Sequence, residues 1–222
     1  MKNDNSEIIS SLLNRAISKF NSGDFEDAIQ DFKKIIKINP KLSTPYLNIG
    51  SCRSNLGDFK GAIKEFSKAI QLNDENEIAY SNRGAAKSNL GDYKGAIEDY
   101  KKAIEINPND SYAYFNRGIA KSFLEEYKGA IDDYGKAIEI NPDDSTFLTN
   151  SGVAKLKLGD FEGSIQDNTT AIKINPNNAY AFCNRGIAKE FLGDFDGAIL
   201  DWEKSSELGN KEADKFIKKY SS

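Results

Sequence analysis

Six asparagines stand 34 residues apart, at Asn14, Asn48, Asn82, Asn116, Asn150 and Asn184. A carboxamide is donor and acceptor at once, so it can pair with both the N–H and the C=O of one peptide unit. A row of them on one surface would hold an extended backbone whatever its side chains. Asparagine is less favourable than alanine inside a helix by up to about 0.7 kcal/mol, because its side chain competes for backbone hydrogen bonds. Six copies at one register therefore need a reason. The alternative reason is structural: the amides bond to neighbouring helices or to water and set how those helices stack. Near the row stand Tyr112, Phe115, Ile119 and Phe123, and further on Tyr180, Ile187 and Phe191. These either anchor a ligand, as aromatics at interfaces commonly do, or pad contacts between helices.

Other chemistry is sparse. The chain has no histidine among its 222 residues, which removes the commonest general base and imidazole metal ligand. Its two cysteines, Cys52 and Cys183, are far apart and read as free thiols, with Cys183 expected to face the groove. Carboxylates on the second helices, such as Asp132-Asp133, occur in every repeat and read as a solvated convex face with ion pairs, and no phosphate-cradling glycine loop is present, so neither catalysis nor a cofactor is expected. A net charge of −4 gives no positive field for nucleic acid or anionic lipid. No window approaches the roughly 18 apolar residues of a membrane span and no secretory signal is evident, so a cytoplasmic protein is expected.

The elements that must position the amides follow from the same period. Gly23-Asp24-Phe25, Gly57-Asp58-Phe59, Gly91-Asp92-Tyr93, Gly159-Asp160-Phe161 and Gly193-Asp194-Phe195 recur every 34 residues, with Glu125-Glu126-Tyr127 in the remaining place. On each side of this turn, apolar and small residues recur at helical spacing, and Pro40, Pro108, Pro142 and Pro176 close four of the second runs. Six helical hairpins are expected at 9–42, 43–76, 77–110, 111–144, 145–178 and 179–212, after a lead at 1–8. The tail at 213–222 places Ala213, Phe216, Ile217 and Tyr220 on one stripe, as a capping helix would.

This pattern resembles the tetratricopeptide repeat, through Ala28/Phe32, Ala62/Phe66, Ala96/Tyr100, Ala130/Tyr134 and Ala198/Trp202 on the second helices and Ala16, Gly50, Gly84, Gly118, Gly152 and Gly186 on the first. The resemblance implies an all-α fold, a right-handed superhelical solenoid of helix-turn-helix repeats with a C-terminal capping helix. It also implies a concave groove lined by the first helices, at slots two, five, six, nine, twelve and thirteen of each repeat. Two departures stand out. Asp74 replaces the proline of repeat two, and Ser164 and Asn168 break the packed pair of repeat five, which is expected to be the weakest. Repeats three and four differ at 10 of 34 slots, and four of the ten lie in the groove set. The frame is repeated while the groove varies.

The asparagine row is also similar to the ladder in the superhelix of the enzymes that attach N-acetylglucosamine to proteins, although no such catalytic domain is present. The family's carboxylate clamp, which grips chaperone tails, is missing: slots five and nine hold no lysine or arginine. Off the groove, Arg15, Arg83, Arg117 and Arg185 at slot seven and Lys19, Arg53, Lys87, Lys121, Lys155 and Lys189 at slot eleven require partners. Slot 23 is acidic in every repeat, from Asp31 to Asp201, so an internal ion-pair ladder is expected. The function expected is a non-catalytic module holding an extended peptide or partner segment, with a self-assembling homo-oligomeric scaffold as the alternative.

Overall fold

A computed structural model describes residues 2–220. Among the described residues it contains thirteen helices and no strand: α1 (Lys2–Ser22), α2 (Phe25–Ile38), α3 (Ser43–Asn55), α4 (Phe59–Leu72), α5 (Glu77–Asn89), α6 (Tyr93–Ile106), α7 (Ser111–Phe123), α8 (Tyr127–Ile140), α9 (Ser145–Leu158), α10 (Phe161–Ile174), α11 (Ala179–Phe191), α12 (Phe195–Glu207) and α13 (Ala213–Tyr220). None is long and apolar enough to cross a membrane. The chain divides into two compact units, Met1–Pro108 and Asn109–Ser222. In the N-terminal unit α1 pairs with α2, α3 with α4 and α5 with α6, and each second helix packs on the next first helix. The C-terminal unit repeats the scheme from α7 to α12 and adds α13 against α12. Residues 2–8, expected as a separate lead, continue α1.

Each hairpin is set by its turn. Gly57, Gly91, Gly159 and Gly193 have φ of 76 to 83°, where a side chain is strained, and the following aspartate caps the second helix, as when Asp92 accepts from the N–H of Gly95 at 3.0 Å. In repeat four Glu125 takes the left-handed place at φ 60° and Glu126 makes no side-chain cap. The second helices α2, α4, α6 and α10 end at an extended asparagine, including Asn73, whose side chain accepts from the N–H of Glu75 at 3.2 Å. Repeat two therefore stops its helix without the missing proline.

Inside each hairpin a small residue on the first helix meets a large one on the second. A Cβ on Gly118 would lie 2.6 Å from the Tyr134 ring, and one on Gly50 2.5 Å from that of Phe66, so neither glycine admits a side chain unless the ring shifts; repeat one holds Ala16 at this slot. Phe32, Phe66, Tyr100, Tyr134 and Trp202 are all buried there. Repeat five puts Asn168 in that place. Its amide donates to the carbonyl of Ser164 at 2.8 Å, while its own Oδ1 is buried without a partner. At the C-terminal end, Phe216 and Tyr220 of α13 stack near Trp202, with ring centres 5.1 and 6.0 Å away, and Glu190 accepts from Lys219 and from the Tyr220 hydroxyl.

The expected ion pairs are present and lie within each repeat. Asp133 accepts from Arg117 Nε and Nη2 at 2.9 and 2.6 Å and pairs with Lys121 at 2.8 Å; Asp99 and Asp201 are held alike by Arg83 and Lys87 and by Arg185 and Lys189. Asp31 is bound by Arg15, Lys34 and Lys19, and the Arg15 hydrogen bonds hold its carboxyl well below the usual carboxylate range. Arg83 also donates to Ser67 at 3.0 Å and Arg185 to Thr169 at 3.2 Å, which ties two of the ladders to the preceding repeat. Repeats two and five are thinner. Glu65 meets Arg53 only at 3.7 Å, and Ser151 replaces arginine as the donor to Asp167 at 2.7 Å.

Candidate functional site

The face made by the first helices carries slots two, six, nine and thirteen, and slot twelve, expected there too, is half-buried in every repeat, as at Ser122 and Glu190. Slot five, expected there too, turns inward in both units. Phe115 lies 4.8 Å from Phe147 and 5.8 Å from Tyr134, Thr149 is buried, and Cys183 is buried against Trp202 and Ala213. The next repeat covers this edge of the helix, so the expectation that Cys183 faces the groove is corrected. Burial pushes both thiols up, that of Cys52 to about 11, which leaves them unreactive near neutrality.

None of the six row asparagines bonds to a neighbouring helix among the described residues. Asn48 donates to the carbonyl of Thr44 at 3.1 Å and Asn150 to that of Thr146 at 2.9 Å, both one turn back in the same helix. One amide hydrogen and the side-chain oxygen of each remain over. Asn14 is exposed and Asn82, Asn116 and Asn184 half-buried, and these four make no side-chain hydrogen bond among the described residues.

In the N-terminal unit a second amide row lies one heptad further along the same helices, at Asn21, Asn55 and Asn89, all exposed. Asn55 and Asn89 donate back to the carbonyls of Ser51 and Ala85 at 2.9 Å, the geometry Asn150 adopts. The 34-residue step signals this row in the sequence too, in three copies only.

In the C-terminal unit the same slot holds Phe123, Lys157 and Phe191, and two hollows flank α9. One, of about 250 Å³ between α7 and α9, is walled by Ile119, Phe123, Tyr127, Tyr134, Val153 and Lys157. The other, of about 630 Å³ between α9 and α11, is lined with amides and hydroxyls, including Thr146, Asn178 and Asn184, with Tyr180 at its edge. Asn150 and Val153 line both. Tyr112, Phe123, Tyr180 and Phe191 are 55 to 68% exposed. Ile119 and Ile187 are half-buried and pack on the cores beneath them. The Tyr112 hydroxyl donates to Asp144 at 3.2 Å, and the charge of Asp144 raises its pKa.

The model of the tetratricopeptide repeat matches residues 9–42, 78–110 and 111–144, and a second model, described as a TPR repeat, matches 55–91. The chain belongs to the tetratricopeptide-repeat family. No curated protein matches it. Among solved structures it is similar to MamA, with 27% identity over 75% of this chain and 97% of that one and a TM-score of 0.70. It shares its fold with YrrB, described as a TPR protein with an unusual peptide-binding site, at 22% identity, 85% and 97% coverage and a TM-score of 0.73. It also shares the fold of pilF from Pseudomonas aeruginosa, at 16% identity, 97% and 99% coverage and a TM-score of 0.82.

The tetratricopeptide frame explains which expected residues come together. In each unit three row asparagines fall on consecutive first helices. In the C-terminal unit the frame gathers Ile119, Phe123 and Asn150 around one hollow and Asn150, Tyr180 and Asn184 around the other. Phe191 stacks on Phe161 with ring centres 4.6 Å apart, away from both hollows. Proteins of this family serve in general as interaction scaffolds for protein or peptide partners.

Proposed function

We infer that this tetratricopeptide-repeat chain is a non-catalytic interaction module whose first-helix face holds an extended peptide segment of a partner. Row amides would pair with the peptide backbone, and the hollows and exposed rings of repeats four and six would take side chains. The observation that carries this reading is that, among the described residues, the row asparagines make no hydrogen bond to a neighbouring helix in either unit. Three amides making two bonds each contribute about 6 kcal/mol at about 1 kcal/mol per bond, before the cost of association. Micromolar affinity needs about 8.2 kcal/mol, so apolar side chains must supply the rest. The hollow beneath Phe123 and the ring of Tyr180 are suited to that.

The test is selection from a random displayed peptide library with the parent chain, followed by binding of the selected peptides to an Asn116→Ala, Asn150→Ala, Asn184→Ala variant. A loss of about tenfold or more in affinity with an unchanged melting temperature supports the reading. A melting temperature lower by several degrees, with affinity retained, makes the amides structural. A mass that grows with concentration in light scattering, with no peptide enriched, makes the chain an assembly scaffold instead.

A further inference from the structure

Among slots two, six, nine and thirteen of the first helices in the C-terminal unit, one side chain is charged. These slots hold Tyr112, Asn116, Ile119 and Phe123 on α7, Thr146, Asn150, Val153 and Lys157 on α9, and Tyr180, Asn184, Ile187 and Phe191 on α11. Lys157 is exposed and forms no ion pair among the described residues, whereas Lys155, two residues earlier, is bound to Asp167 at 2.7 Å. Glu190, the acid near the end of α11, is already engaged by Lys219 and Tyr220. In a chain whose slot-seven and most slot-eleven cations are matched internally, the cation of this face is left for something outside it.

The position of Lys157 says what that is. It lines the hollow between α7 and α9 together with Ile119, Phe123, Tyr127 and Val153. At about 250 Å³ this hollow falls below the roughly 300–1,000 Å³ of small-molecule sites and suits one bulky side chain. In an extended chain, residues i and i+2 point the same way about 7 Å apart, so a residue seated in the hollow brings the one two along to its rim. The peptide unit between them passes over α9, where Asn150 stands between the two hollows with its side-chain oxygen and one amide hydrogen to spare.

Resting on the peptide-binding reading above, we propose that the C-terminal unit selects an acidic, apolar segment of a partner protein. An aromatic or large aliphatic residue fills the hollow between α7 and α9, a carboxylate two residues away pairs with Lys157, and Asn150 pairs with the backbone between them. The acids beside this face are already engaged, Asp144 by the Tyr112 hydroxyl and Glu190 by Lys219 and Tyr220, so Lys157 is the charged group left for a ligand and a carboxylate is its complement.

Three fluorescent serine- and glycine-based peptides test this on the full chain by anisotropy: one centred on Phe-Ser-Glu-Ser-Phe, one on Phe-Ser-Lys-Ser-Phe and one on Ala-Ser-Glu-Ser-Ala. The symmetric design allows either chain direction. The first is expected to bind best, about tenfold tighter than the second, or about 1.4 kcal/mol. Lys157→Glu is expected to reverse the order of the first two and Lys157→Gln to equalise them, both with unchanged circular dichroism, and salt to narrow the difference. Equal binding of the glutamate and lysine peptides overturns the acidic assignment and leaves peptide binding intact. Equal binding of the phenylalanine and alanine peptides overturns the hollow's role. No binding of any peptide at about 1 mM overturns both this proposal and the reading it rests on.

Discussion

The two units share a frame and differ in what they display. In the N-terminal unit slot thirteen of the first helices is asparagine three times, so Asn21, Asn55 and Asn89 run beside Asn14, Asn48 and Asn82. In the C-terminal unit the same slot reads Phe123, Lys157 and Phe191 beside Asn116, Asn150 and Asn184, and slot two gains Tyr112 and Tyr180. The N-terminal face is thus rich in amides, with Ile17 and Ile78 as exposed apolar residues among them. The C-terminal face adds the exposed rings of Tyr112, Phe123, Tyr180 and Phe191 and the charge of Lys157. Beneath both, the arginine–lysine–carboxylate pairing and the small-on-large packing are retained, because each repeat must bury the same surface whatever it displays.

The largest expected effect breaks the frame. Asp133→Ala strands Arg117 and Lys121 in a half-buried place and should cost about 3–5 kcal/mol in urea unfolding. Glu65→Ala, which removes only a 3.7 Å contact to Arg53, should cost about 1 kcal/mol or less. Similar losses for the two would contradict the account of the ladder. Next in size is repeat five: Asn168→Phe removes a buried oxygen without a partner and fills the place that rings occupy in the other repeats. It should stabilise the chain by about 1–3 kcal/mol, read as a raised urea midpoint. Any destabilisation would mean that the polar Ser164 and Asn168 pair is already accommodated.

Smaller effects sharpen the contrast between faces. Phe123→Ala should weaken a peptide selected on the C-terminal unit by about tenfold, whereas Asn55→Ala should lower affinity for every extended peptide held by the N-terminal unit by less, about 1 kcal/mol. A further effect is one of pH. The Asp31 carboxyl is depressed in the folded chain, so its contribution is complete above its unfolded pKa of about 3.9 and fades as pH falls toward the folded value. The difference in melting temperature between the parent and Asp31→Asn should therefore be constant from about pH 7 to 5 and shrink below about pH 4.

The fold was largely legible in the sequence because its determinants repeat. The turn glycines, the Gly118/Tyr134 kind of close packing and the carboxylate at slot 23 each stand at one register and satisfy one local need, and the structure pairs them as the spacing implies. The face was legible only in part. A helical wheel gives the direction of slot five but not the neighbouring helix that covers it, so Phe115 and Cys183 read as exposed and are not. The second amide row is the weaker signal because it spans three repeats and ends where the display changes. Lys157 gains its meaning only from the hollow that α7 and α9 make together.

The central claim is that the asparagine row meets a peptide backbone. The most direct measurement follows the side-chain amide signals of Asn116, Asn150 and Asn184 by nitrogen-15 NMR while a selected peptide is added. The account predicts that these three move and slow their exchange with water together, including with a peptide whose side chains are trimmed to alanine. Shifts confined to Phe123 and Lys157, with the three amides unmoved, would contradict it.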